Sequence, residues 1–311
     1  MNFSTLQAGR AIAAIMVVVF HAHAFFLTTK LYPGVVVSPL FNMGYSGVEF
    51  FFVLSGFVMA LVHTKDLGCP ERAGNFLRMR VTRIYPFYWV VLGGLLLAYM
   101  LLPGLGPADA RSVPKIAASA LLLRLPDDFI IVAAWTLAHE MLFYLVFCIS
   151  ILNRRFGMAL FALWVAAILV NIVVLHLPYP GTYLLSPFNL LFLFGMGSAA
   201  LFPRLGGSEA LVCALGGIGA FFLVGVLDVY GLWQAGEALR TLAYGVAAAL
   251  AISGLAQLES QGRVRSPSFL AFLGMHPIRS ILCTDPFWAS WPPRCGPVAC
   301  KSTCRPAQPW P

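Results

Sequence analysis

Residues 47–64 read Gly47-Val48-Glu49-Phe50-Phe51-Phe52-Val53-Leu54-Ser55-Gly56-Phe57-Val58-Met59-Ala60-Leu61-Val62-His63-Thr64. The run holds a carboxylate at its opening and an imidazole near its close, and otherwise consists of apolar and small uncharged residues. At about 1.5 Å of rise per residue, a stretch of this length and apolarity crosses a bilayer once as an α-helix. It is too long for a barrel strand, and it does not alternate apolar with polar. Long unbroken runs of the same kind recur along the chain. The expected fold is therefore all-α, a polytopic transmembrane helical bundle with about eight spanning helices.

Composition supports this reading. The chain has 311 residues, 60% of them hydrophobic and only 10% charged, with a mean hydropathy of +0.84. A soluble domain carries about 25% charged residues, so the composition excludes a disordered chain, a nucleic-acid-binding domain and an ordinary cytosolic enzyme. Besides residues 47–64, spans are expected near 9–27, 85–102, 129–152, 157–175, 184–202, 209–227 and 238–257. A polar, basic loop with Lys65, Arg72, Arg78, Arg80 and Arg83 separates the second and third. Residues 116–123 are apolar but too short to cross, and read as re-entrant or interfacial. The net charge of +8, from 20 Lys+Arg against 12 Asp+Glu, resides mostly in short connections. If the helices alternate, the basic loop, Arg154-Arg155, Arg204, Arg263 and Arg265 share one side. The positive-inside rule makes that side, and the amino terminus, cytoplasmic. The first apolar stretch lacks a small-residue cleavage site and reads as a retained helix. No internal repeat and no soluble domain is evident.

From Met275 the texture changes. Residues 275–311 carry Cys283, Cys295, Cys300 and Cys304 among prolines, tryptophans and arginines without periodicity. The C-x2-C spacing of a metal site is absent there, and a cytoplasmic location disfavours disulfides. Back-translating from Met275 and moving one base at Gly274 permits Asp-Ala-Ser-Tyr-Ser-Ile-Tyr-Leu-Val-His-Arg-Pro, the start of another membrane helix. The expected organisation is thus a transmembrane domain over 5–274 and an aberrant, frameshifted tail over 275–311.

Ionisable groups inside spanning helices are costly and mark function by default. Arg10 and His21 are eleven residues apart. At about 100° and 1.5 Å per residue they share one face, roughly 16 Å apart in depth. Glu140 lies at a depth similar to His21. A His and a Glu at one depth can pair across helices, which makes the imidazole a competent base. They can equally be a histidine bonded to a backbone carbonyl and an interhelical carboxylate acting as glue. His23 reads as structural. Arg80 and Arg83, three apart, can clamp phosphates or serve as a positive-inside anchor. No metal site is evident.

Four segments, in order, resemble the acyltransferase-3 family of membrane acyltransferases, with exopolysaccharide acetyltransferases nearest in character. They are Leu6-Gln7-Ala8-Gly9-Arg10 through Phe20-His21-Ala22, like the family's R-x10-H helix; Gly47 through Phe57; Arg80-Val81-Thr82-Arg83-Ile84-Tyr85-Pro86, like R-x-x-R-x-x-P; and Ala134-Trp135-Thr136-Leu137-Ala138-His139-Glu140-Met141-Leu142-Phe143-Tyr144, like W-[ST]-L-x-x-E-x-x-F-Y. The resemblance covers roughly residues 5–274. It implies transfer of an acyl group, acetyl first of all, from acyl-CoA to a sugar hydroxyl of a surface polysaccharide or lipid-linked oligosaccharide. Arg80 and Arg83 would hold the donor's phosphates and Arg10 would assist at the thioester or pantetheine end. His21 would act as general base or carry the acyl group itself, and Glu140 would orient it. Glu49, Ser55, Trp135 and Tyr144 are expected to be structural or acceptor-site residues. His139 falls on a variable position and takes no role. The family has about ten spanning helices against eight counted here, in keeping with a frameshift. Membrane lipid is the expected surround, and no nucleic-acid partner is expected. The rival readings are a transporter or flippase for a lipid-linked sugar, and an inactive truncated acyltransferase.

Overall fold

The computed structural model describes residues 3–24, 38–102, 108–126 and 129–266. The aberrant tail expected over 275–311 lies outside them. Among the described residues the chain is helical throughout, with α1 Ser4–His21, α2 Gly47–His63, α3 Ala73–Leu101, α4 Val113–Ala120, α5 Ala134–Leu152, α6 Arg154–Val170, α7 Gly181–Leu184, α8 Phe188–Leu201, α9 Gly207–Val229 and α10 Glu237–Ser260. Eight segments of the described residues are long and apolar enough to cross a membrane: Ser4–Ala24, Pro39–Asp66, Pro70–Leu101, Ala134–Leu152, Arg154–Leu175, Gly181–Arg204, Gly207–Val229 and Glu237–Ser260. The protein is an all-α integral membrane bundle. The described residues fall into two compact units, one holding those up to Thr64 together with 190–266, the other those within Lys65–Asn189.

In the first unit the helices approach through small residues. A Cβ on Gly56 of α2 would lie 1.9 Å from the Phe192 carbonyl oxygen of α8, and one on Gly195 of α8 would lie 1.9 Å from that of Val53. The two glycines therefore let the α2 and α8 backbones touch, the usual route to close packing where lipid offers no hydrophobic drive. Gly217 of α9 and Gly254 of α10 do the same against Ala251 and Ala214. By contrast Gly197, Gly216 and Gly219 face nothing within 4 Å, so only part of each glycine-rich stretch packs.

The first helix begins at Ser4, several residues before the apolar stretch suggests. Glu259, on the last turn of α10, accepts from the backbone N–H of Ser4 (2.6 Å) and Thr5 (2.9 Å) and from both of their hydroxyls. These are donors that a helix start leaves without internal partners. At another corner of the unit, Tyr45 donates to Asp228, which pairs with Arg240 at 3.2 Å.

In the second unit α3 begins at Ala73, well before the span expected near 85–102. The basic residues Arg78, Arg80 and Arg83, which read as a loop, lie on this helix; arginine is a good helix former, and only charge argued for a loop. Pro86 sits inside the same helix. The short segment expected to be re-entrant is α4 with the turn after it. Its terminal carbonyls are capped from α3: Tyr88 Oη donates to Ser119 (2.7 Å), Trp89 Nε1 to Ala120 (2.8 Å) and Tyr85 Oη to Leu121 (3.0 Å). A helix of eight residues leaves its last four carbonyls without partners inside the helix; the turn that follows supplies N–H donors to Ala117, Ala118 and Ser119, and α3 adds side-chain donors to three groups at that end. Leu122 follows with φ +54°, a left-handed position usually taken by glycine; its side chain is buried. Asn153, in an extended conformation, separates α5 from α6 and accepts from the Phe156 N–H at 3.1 Å.

Candidate active site

The second unit holds the better-defined constellation. Arg80 is buried although it is charged. Its guanidinium carbon stands 5.4 Å from the ring centre of Phe76, one turn earlier on α3, and 5.3 Å from that of Tyr144 on α5. Aromatic faces attract a desolvated guanidinium, by about 2 kcal/mol or more, and this seat offsets part of the cost of burying Arg80. The Tyr144 ring meets Phe76 edge to face at 6.1 Å. Its hydroxyl donates to Glu140 Oε1, one turn back on α5. Glu140 is half-buried. Arg80, Tyr144 and Glu140 thus form a connected set. Arg83, half-buried and three residues beyond Arg80, makes no hydrogen bond or ion pair among the described residues.

His139, next to Glu140, belongs to a different assembly. It is buried, with Nδ1 2.9 Å from Asn189 Oδ1. The Asn189 amide donates to the carbonyls of Tyr183 and Leu184, both at 3.1 Å. That fixes which end of the amide faces the ring, so Nδ1 of His139 carries the proton. Tyr183 and Trp135 wall the imidazole at 4.8 and 5.8 Å between ring centres. His139 and Trp135 are packing partners here.

The first unit carries Arg10 and His21. His21 is exposed, with Nδ1 2.8 Å from the Val17 carbonyl on its own helix. A carbonyl only accepts, so Nδ1 is protonated and Nε2 is the basic nitrogen of the neutral ring. The orienting contact seen within this unit is thus a backbone carbonyl. Arg10 is half-buried and reaches Gln7 Oε1 at 3.4 Å. His23 is buried against Asn42 (3.1 Å) and Phe41, which fits its structural reading. Glu49 is buried on the first turn of α2, and its Oε2 has no hydrogen-bond partner among the described residues. A cavity of about 180 Å³ opens beside Gly9, Ile12, Ala13 and Met16 of α1, away from the face of Arg10 and His21, and its lining is almost wholly apolar. Such a surface suits hydrocarbon rather than a sugar or a phosphate. Among the described residues no group of three His, Cys, Asp or Glu side chains is placed to hold a metal ion.

Comparison with known proteins bears on what these groups do. A family model described as an acyltransferase domain of the acyltransferase-3 type matches residues 3–276. The chain belongs to the acyltransferase-3 family. It is also similar to the exopolysaccharide production protein ExoZ of Rhizobium meliloti (strain 1021), at 31% identity over 248 residues, covering 75% of this chain and 73% of that one. No solved structure matches. For an acyltransferase-3 protein, the arginine pair and Glu140 lie in one compact unit, and Arg10 and His21 in the other. Sequence reasoning reached Tyr144 only as a structural or acceptor-site residue, and not as the partner of both Glu140 and Arg80. Its spacing of four from Glu140 was the available signal, since residues that far apart share a helix face.

Proposed function

We propose that this acyltransferase moves an acyl group, acetyl in the first instance, from acyl-CoA to a sugar hydroxyl of a surface polysaccharide or its lipid-linked precursor. It would do so in the bacterial cytoplasmic membrane with its amino terminus on the cytoplasmic side. The observation that carries the donor assignment is Arg83, a half-buried guanidinium in a spanning helix with no ion pair among the described residues. A cation there is expensive unless an anion meets it. The phosphates of coenzyme A are suitable anions, and a guanidinium matches them bidentately. Arg80, one turn away and held in its aromatic seat, adds a second positive charge. Arg154, Arg155, Arg204, Arg263 and Arg265 are all exposed, as cytoplasmic anchors would be. The acceptor class follows the name of the Rhizobium relative.

In the reaction the acceptor hydroxyl oxygen attacks the thioester carbonyl carbon, forming a C–O bond as the C–S bond breaks. His21 Nε2 takes the hydroxyl proton and returns it to the leaving thiolate. Arg10 assists at the thioester end. Glu140 is the carboxylate that balances the positive charge developing during the step. The test is the O-acetyl content of the surface polysaccharide, read by proton NMR. It compares a deletion strain carrying this chain, the His21→Ala variant, or a version with the reading frame moved at codon 274. Acetylation restored by the chain or its frame-restored version, and lost with His21→Ala at equal protein level, supports the reading. Equal acetylation with His21→Ala refutes it.

A further inference from the structure

The geometry points to Tyr144 as a positioning residue of the transfer site, linking the donor-binding cations on α3 to the carboxylate of Glu140. The inference rests on the donor reading above. Two halves of one side chain do different work. The ring face carries the Arg80 guanidinium at 5.3 Å, and the hydroxyl donates to Glu140 Oε1. Phe76 braces the same ring edge to face at 6.1 Å and itself stacks with Phe147 at 5.6 Å, so the ring is held by α3 and α5 together. The Tyr144 side chain is almost wholly buried, and a buried charge-assisted hydrogen bond of this kind is directional. One carboxylate oxygen of Glu140 is thereby committed to the phenol, which sets the direction of the other. A phosphate drawn to Arg83 acts on the neighbouring Arg80, and any shift of that guanidinium is felt by the ring it lies on. Donor occupancy would reach Glu140 through one aromatic ring.

The experiment uses the full chain, purified in detergent, with coenzyme A as the binding probe and acetyl-CoA as donor. Tyr144→Phe keeps the ring and deletes only the hydroxyl. It should bind coenzyme A as the parent does and keep its KM for acetyl-CoA, while kcat falls about ten- to hundredfold. Tyr144→Leu removes the platform as well and should raise KM in addition to lowering kcat. Combining Tyr144→Phe with Glu140→Gln should cost no more than Glu140→Gln alone, because the phenol acts only through that carboxylate. A purely structural Tyr144 would lower the yield of folded protein without dividing kcat from KM between the two variants. Tyr144→Phe turning over as fast as the parent overturns this inference and leaves the donor reading standing. A parent chain that binds no coenzyme A overturns both.

Discussion

Replacing Glu259 by alanine removes the carboxylate that closes the amino end of α1. Four contacts disappear: two backbone donors, Ser4 N–H at 2.6 Å and Thr5 N–H at 2.9 Å, and the hydroxyls of the same two residues. A hydrogen bond to a charged acceptor contributes about 1.5–3 kcal/mol, and loss of an ordinary N-cap costs about 0.5–2 kcal/mol. The site is partly exposed, so water replaces some of what is lost, and the hydroxyls find new partners most easily. The two backbone donors therefore set the scale, about 2–4 kcal/mol in total. One smaller effect opposes this, since an acid at the carboxyl end of α10 is disfavoured by that helix's dipole, by about 0.3–1 kcal/mol. Glu259→Gln keeps one accepting oxygen and should lose about half as much. Glu209, which accepts only the exposed Gly206 N–H at 2.8 Å, serves as the control: Glu209→Ala should cost about 1 kcal/mol or less. The assay is equilibrium unfolding in mixed micelles, titrating SDS into the purified protein. Glu259→Ala unfolding within about 0.5 kcal/mol of the parent would refute the claim that α1 is tied down at this point.

Gly56→Ala drives a methyl into the Phe192 carbonyl and should destabilise by about 3 kcal/mol or more. Gly197→Ala, with open space around it, should stabilise its helix by up to about 1 kcal/mol; the same unfolding titration distinguishes them. Tyr88→Phe removes one of two donors to the buried Ser119 carbonyl, the Leu122 N–H at 3.0 Å remaining, and should cost about 0.5–1.5 kcal/mol, with faster proteolysis near residue 121 as a second readout. His21→Ala should lower transfer at least about a hundredfold without changing unfolding. His139→Ala should do the reverse, losing about 2–4 kcal/mol of stability while the rate per folded molecule stays within a few-fold.

The span over residues 47–64 was legible because apolar length alone decides it, and α2 occupies Gly47–His63. The start of α3 was hidden because charge was read as loop. Arginines on an amphipathic helix end look the same as arginines in a connection, and only the aromatic seat of Arg80 separates the two. Glu259 carried no signal of its own, since an acid at a helix end is commonplace and its partners are Ser4 and Thr5. The candidate residues Arg10, His21, Arg80, Arg83 and Glu140 could be picked out by being ionisable in apolar surroundings. Tyr144 was reached only through the family-like segment that contains it, because an aromatic residue in a membrane helix is the expected background.

The division into two units also bears on synthesis. Lys65–Asn189 is one continuous stretch, so its helices can assemble as they leave the translocation machinery. The other unit is interrupted by that whole stretch. The Gly56 face of α2 has no Gly195 to meet until α8 has been made, and the amino end of α1 waits 255 residues for Glu259. During that interval the first two helices have each other, through Gly47 against Ala13 and Gly9 against Phe50, but stand in the membrane with a partner surface open to lipid. A ribosome stalled just past Asn189 would leave one finished unit and an orphaned helix pair, the kind of surface that quality-control proteases and membrane chaperones recognise.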